Sequence, residues 1–154
     1  MKIEITKLSI QDSADVFQEV IKLLVELGEE GDELGELSTE KVLREWQQTG
    51  DRFQVFAAKN EDGKIIGILT LAETFAIYAN GNYGIINEMY TDPGYRSSGV
   101  GAKLIQAAIA YGRLKGWVRI DVTAPESDRW IRTKKFYEKQ GFIFTGPKLK
   151  FLLK

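Results

Sequence analysis

The chain has 154 residues, 44% of them hydrophobic and 28% charged, the size and make-up of one globular domain with room for a proper core. Its 21 Lys and Arg nearly cancel its 22 Asp and Glu, so no overall basic field draws it to nucleic acid, and no apolar run approaches the ~18 residues of a membrane span. Cysteine and histidine are both missing, which excludes disulfides, thiolate nucleophiles, cysteine metal sites and a Ser-His-Asp triad.

Acid–base chemistry must therefore use carboxylates, tyrosine, lysine or water, and no metal is expected. The opening "MKIEITKLSI" lacks the long apolar core of a signal peptide, so a cytoplasmic location is expected. "KIEITKL" alternates like a strand, with Ile3 and Ile5 on one face. Asp12 and Ser13 can cap a helix whose Val16, Phe17, Val20, Ile21, Leu24 and Leu27 follow a 3.6-residue period. After the acidic, glycine-broken "GEEGDELGEL", Ser38 or Thr39 can cap a second helix carrying Val42, Leu43 and Trp46, ended by Gly50.

The pattern then changes to strands. "RFQVFAAK", the turn "NEDGK" and "IIGILTLAETFAIYA" predict a hairpin, and "NGN" a second turn into "YGIINEMYT". Asp92, Pro93 and Gly94 break that strand, and a helix from about Gly99 to Lys115 follows. "WVRIDVT" reads as a strand with Val118, Ile120 and Val122 on one face, then a short helix runs from about Asp128 to Gln140. "FIFT" and "KLKFLL" read as two last strands. The expected fold is a single α/β (α+β) domain over residues 1–154: a mixed, mostly antiparallel twisted sheet of six to seven strands flanked by about four helices.

The stretch "YTDPGYRSSGVGAKLI" joins a strand to a helix through three glycines and two serines. A nucleotide-hydrolase P-loop needs Lys-Ser/Thr where Val100-Gly101 stands, and a dinucleotide fingerprint needs a third glycine where Leu104 stands. The pattern Arg-x-x-Gly-x-Gly/Ala is met by Arg96-Ser97-Ser98-Gly99-Val100-Gly101. Amides at the start of a helix lack intrahelical partners and favour an anion, and glycine lets it approach.

Together with the later "KFYEKQGF", this combination resembles the GNAT superfamily of N-acetyltransferases, well from Phe53 onward and in layout alone for the first two helices. The resemblance implies a loop that binds the pyrophosphate of acetyl-CoA through the amides of Arg96, Ser97, Ser98, Gly99, Val100, Gly101 and Ala102. It also implies that the backbone of Met89, Tyr90 and Thr91 pairs with the pantetheine arm, with an amide near Met89 stabilising the oxyanion. Glu88, in the otherwise apolar "IINEMY", is the candidate base, its carboxylate partly desolvated; Glu73 and Asp121 are alternatives whose sheet faces depend on where bulges fall. Tyr137 matches the family's tyrosine near the CoA sulfur and is the candidate acid. Where relatives often carry asparagine and alanine, this chain has Trp130 and Thr133, which puts one cofactor contact in doubt. Lys134, with Arg132 and Lys135, is a candidate partner of the CoA phosphates.

The reading is thus direct acetyl transfer from acetyl-CoA to an amine, a small molecule or a peptide; the absence of cysteine removes a cysteinyl-acetyl intermediate. Glu29, Glu30, Asp32, Glu33 and Glu36 would attract a cationic acceptor, or form a solvated loop. A silent CoA-binding sensor on the same fold is the alternative. An exposed sheet edge would allow a homodimer; no nucleic acid or membrane partner is expected.

Overall fold

The computed structural model describes residues 2–28, 37–124, 131–146 and 148–153. They form two compact units, Met1–Asp121 and Val122–Lys154. The acidic residues from Glu29 to Glu36, together with Trp130, lie outside the described residues.

Local chemistry sets the first elements. Strand β1, Glu4–Leu8, ends at Ser9, where a reciprocal cap starts a helical turn: Ser9 Oγ accepts from Gln11 N–H at 3.2 Å, and Ser9 N–H donates to Asp12 Oδ2 at 2.8 Å. Helix α1, Ser13–Leu27, follows and stops at Gly28, whose φ of +61° lies in the left-handed region. Helix α2, Thr39–Trp46, starts at Ser38, whose Oγ accepts from Lys41 N–H at 3.3 Å. It ends four residues before Gly50; Gly50 instead opens a short helical turn, Gly50–Arg52, ahead of the sheet.

Strands β2, Phe53–Lys59, β3, Ile65–Ala76, and β4, Gly81–Thr91, form an antiparallel meander with β1. The end of the expected long strand, "IYA", is a helical turn closed by Asn80 at φ +60°. Helix α3, Val100–Lys115, then leads to β5, Ile120–Val122, and the sheet order is β1-β2-β3-β4-β5. Helix α4, Ile131–Lys139, belongs to the second unit. Among the described residues no helix is long and apolar enough to cross a membrane.

The sheet is covered on both faces. Val55, Ala57, Ile68 and Tyr90 meet Val16 of α1 on one face, with Val20, Leu23, Trp46 and Phe53 packed around them. Helix α3 covers the other, so closely that a methyl at Gly67 would lie 2.8 Å from Val100 Cγ1. At the edge of this layer the Trp117 indole fills a slot between Gly84 and Gly112; a Cβ at Gly84 would stand 2.3 Å from the ring.

The sheet has five strands among the described residues rather than six to seven. "FIFT" and "KLKFLL" alternate as strands do, yet the described part of each is unpaired, and Ile143, Leu149, Phe151 and Leu153 are exposed. Gly141 and Gly146, at φ +102° and +140°, flank "FIFT" in backbone conformations that ordinary strand residues do not adopt. β5 is also shorter than "WVRIDVT". The N–H groups of Gly116 and Trp117 are spent on closing α3, through Arg113 O at 3.1 Å and Gly112 O at 2.9 Å, so the chain cannot extend at Trp117, and Val118 is exposed.

Candidate active site

The register of β4 against β3 slips by one residue. Leu71 faces Ile86 but Thr70 faces Glu88, leaving Asn87 as an unpaired bulge. Strand side chains alternate between faces, so an extra residue reverses the alternation beyond it. Before the bulge, Gly84 faces the α3 side with Trp117; after it, Tyr90 and therefore Glu88 face the α1 side. Asn87 itself is exposed.

Glu88 arrives next to Thr70, which is 1% exposed. Its N–H donates to Thr70 Oγ1 at 3.0 Å, and the Thr70 hydroxyl donates in turn to Glu88 Oε1. Oε2 has no hydrogen-bond partner among the described residues, and the side chain is half-buried. A carboxylate fixed by one oxygen and open at the other can accept a proton from a water or an amine. The one signal for Thr70 in the sequence is a hydroxyl inside the otherwise apolar "IIGILTLA".

The alternatives have other tasks. Glu73 faces the α3 side, where Oε2 accepts from Trp117 Nε1 at 2.7 Å and lies 3.8 Å from Lys115 Nζ. Asp121 grips Arg119 through Nε at 2.8 Å and Nη2 at 3.1 Å. The Arg119 guanidinium lies over the rings of Tyr78 and Tyr83, at 5.2 and 5.8 Å from their centroids. Tyr83 has its pKa raised by the hydrogen bond with Tyr78 and then by burial.

Beyond Glu88, Met89 and Thr91 are half-buried and Tyr90 is buried. Burial, followed by the charge of Glu26, raises the pKa of Tyr90. β5 has three residues against eleven in β4, so among the described residues much of the outer edge of β4 carries no strand partner. The loop after β4 turns at Asp92, whose Oδ1 accepts from Gly94 N–H at 3.1 Å. Ser97 at φ +68° and Gly99 at φ +85° then aim the chain into α3.

No side chain caps α3, and its first helical bond runs from Lys103 N–H to Gly99 O at 3.1 Å. The amides of Val100, Gly101 and Ala102 therefore have no acceptor within the helix. Nothing lies within 4 Å of where a Gly99 Cβ would stand. This uncapped start, exposed at Ser97, Ser98 and Gly99, fits an anionic diphosphate. The Arg96 side chain holds the loop itself: Nε donates to Thr91 O at 3.0 Å, Nη2 pairs with Glu26 at 2.5 Å, and the guanidinium covers the Tyr90 ring.

In the second unit, Tyr137 is buried between the rings of Phe136 and Phe142, at 5.5 and 5.6 Å. Burial pushes its pKa up to about 12. Lys134 lies 4.9 Å over the Phe144 ring, Thr133 is half-buried, and Arg132 and Lys135 are exposed.

Residues 18–142 match the model of the acetyltransferase (GNAT) family. The chain belongs to that family. No curated protein matches it. It is similar to an aminoglycoside acetyltransferase from an uncultured soil metagenomic sample, solved in complex with trehalose, with 24% identity over 99% of this chain and 95% of that one and a TM-score of 0.76. Glucosamine-6-phosphate N-acetyltransferase from Arabidopsis thaliana shares 21% identity over the whole of both chains, with a TM-score of 0.74. A predicted acetyltransferase from Clostridium acetobutylicum, solved with acetyl-CoA, shares 18% identity over 98% of this chain and 96% of that one, with a TM-score of 0.78. At these identities the three share the fold of this GNAT chain.

Proposed function

We propose that this chain is an acetyl-CoA-dependent N-acetyltransferase that moves the acetyl group directly to an amine. The observation that carries the reading is the bulge at Asn87, which turns Glu88 to the α1 side with one free carboxylate oxygen, three residues before the loop leading to the uncapped α3 amides. Acetyl-CoA, when bound, supplies the thioester carbon.

Arg96 to Ala102 hold the diphosphate through backbone N–H groups, and the outer edge of β4 from Met89 to Thr91 pairs with the amides of the pantetheine arm. An ammonium with a lysine-like pKa near 10.4 is about one part in a thousand neutral at pH 7, so Glu88 takes its proton, directly or through a water. The amine nitrogen attacks the carbonyl carbon, a backbone N–H near Met89 receives the oxyanion, and as the C–S bond breaks the nitrogen's second proton passes through water to the departing thiolate, giving the amide and the free thiol. Tyr137, protonated at every physiological pH, donates a hydrogen bond to the departing sulfur. Full proton transfer to a thiolate whose conjugate acid is near 8.5 would be uphill, so donation rather than transfer is its role. Lys134 contributes charge towards the CoA phosphates.

The test is free-thiol release from saturating acetyl-CoA across polyamines, aminoglycosides, amino acids and lysine-bearing peptides. Release that depends on one amine class supports the reading. Binding of acetyl-CoA with no amine-dependent release would make the chain a cofactor-binding module instead.

A further inference from the structure

Two neighbouring residues of the loop between β4 and α3 are held by other parts of the fold. The Tyr95 hydroxyl accepts from Asn60 Nδ2 at 3.1 Å, and Asn60 is itself fixed in its turn, its Oδ1 accepting from Asp62 N–H and Lys64 N–H, both at 3.0 Å. Arg96 is held by Glu26, 70 residues away in the last turn of α1. The guanidinium acts as a bracket: Nε donates to Thr91 O at 3.0 Å, Nη2 donates to Glu26 Oε2 at 2.5 Å, and the group lies 5.6 Å from the centre of the Tyr90 ring.

The chain turns immediately afterwards. Ser97 at φ +68° and Gly99 at φ +85° are both in the left-handed region, which a serine keeps only where its surroundings fix it. Where the amides from Ser97 to Ala102 point therefore depends on how Arg96 delivers the chain into that turn.

Charge alone gives Glu26 the opposite effect. A carboxylate beside a loop that takes a diphosphate repels the ligand and neutralises the one arginine of the motif. Nor does the pair add much to folding stability, since the side chains of Arg96 and Glu26 are 42% and 29% exposed. What the pair supplies is a fixed direction for a planar, two-pronged donor.

We infer that Glu26 is a positioning residue for the cofactor: by holding Arg96 it fixes the entry to the left-handed turn, aligns the amides from Ser97 to Ala102, and strengthens cofactor binding in spite of its own charge. This rests on the acetyl-CoA reading and deepens it. Part of the affinity of the loop is set by α1, the helix whose Val16 packs against Tyr90 on the sheet face that also carries Glu88.

The experiment measures Kd for CoA by titration calorimetry in the wild type, Glu26→Gln, Arg96→Lys and the double variant, with a melting temperature for each without ligand. Glu26→Gln should weaken binding by about fivefold or more, the effect of one charge-assisted hydrogen bond on the geometry of the loop. Arg96→Lys keeps the charge but cannot reach Thr91 O and Glu26 together, so it should weaken binding at least as much. The double variant should be no weaker than Arg96→Lys, because Glu26 acts through Arg96. Melting temperatures should stay within about 2 °C of the wild type, whereas a merely structural role would lower them together with the affinity. In turnover the loss should fall on KM for acetyl-CoA more than on kcat. An unchanged or lower Kd in Glu26→Gln would overturn the inference, as would a wild-type Kd in Arg96→Lys. CoA binding without thiol release to any amine would overturn the transferase reading alone, and the Kd values would still judge Glu26. No CoA binding by the wild type would overturn both.

Discussion

Thr70 and Glu88 face each other across β3 and β4 and are joined twice, once from the Glu88 amide to the Thr70 hydroxyl and once from that hydroxyl to the Glu88 carboxylate. A single buried oxygen therefore fixes both the backbone and the side chain of the candidate base. It does so where the ladder is interrupted and ordinary strand pairing would leave the amide unsupported.

Substitution of Glu88 by Gln keeps an acceptor for the Thr70 hydroxyl and removes the proton acceptor. Turnover should fall about 10²- to 10³-fold, while acetyl-CoA still protects the protein against heat. Thiol-release kinetics and a thermal shift on the same sample check both halves; loss of protection together with turnover would mark Glu88 as structural instead.

Thr70→Val preserves shape but strands the Glu88 amide and releases its carboxylate. Stability should drop by about 1–3 kcal/mol, and Thr70→Ser should recover most of the lost activity despite the missing methyl. Urea unfolding and kcat for the two variants decide the matter. Equal defects in both would show that volume, not the hydroxyl, is what the site requires.

Gly99 and Gly50 both sit at positive φ, +85° and +59°, with open space where a side chain would go. Alanine at either position should cost about 1 kcal/mol of backbone strain. Only Gly99→Ala should also weaken acetyl-CoA binding, since the amides after it are the proposed diphosphate ligands. Titration calorimetry with acetyl-CoA separates the shared strain from the specific loss.

Tyr137 carries a pKa raised from 10.0 to about 12 by burial. The folded protein then binds more protons than the unfolded chain between those two values. Its contribution is fully present below pH 10 and is lost as pH rises through about 12, roughly 2–3 kcal/mol in all. Melting temperatures from pH 9 to 12 should fall more steeply for the wild type than for Tyr137→Phe, and parallel curves would contradict the shift.

Much of the fold was legible in the sequence because local chemistry wrote it. Ser38 caps α2 as its place before the apolar period predicts, and the meander follows from alternation and turns, whereas Asp12, expected to cap α1, makes no side-chain cap there and accepts from Ser9 N–H instead. The loop from Arg96 to Ala102 was legible for the same reason. Features that depend on a partner strand were not. The bulge at Asn87 exists only in the pairing with β3, so the sequence left Glu88, Glu73 and Asp121 as rivals. The alternation of "KLKFLL" similarly shows a capacity for pairing, not a pairing. Glu19, in a helix of otherwise ordinary amphipathic pattern, reads as a surface residue until its burial is known.

The extra residue at Asn87 sets a reading frame for β4. Upstream of it even-numbered side chains face the tryptophan side of the sheet, and downstream the even-numbered ones face the α1 side. Removing Asn87 would seat Glu88 directly after Ile86 and still opposite Thr70, so the strand could pair along its whole length with Glu88 kept on the α1 side. The two halves of this strand thus carry separate constraints: neither half can slip by one residue against β3 without carrying its side chains to the opposite face.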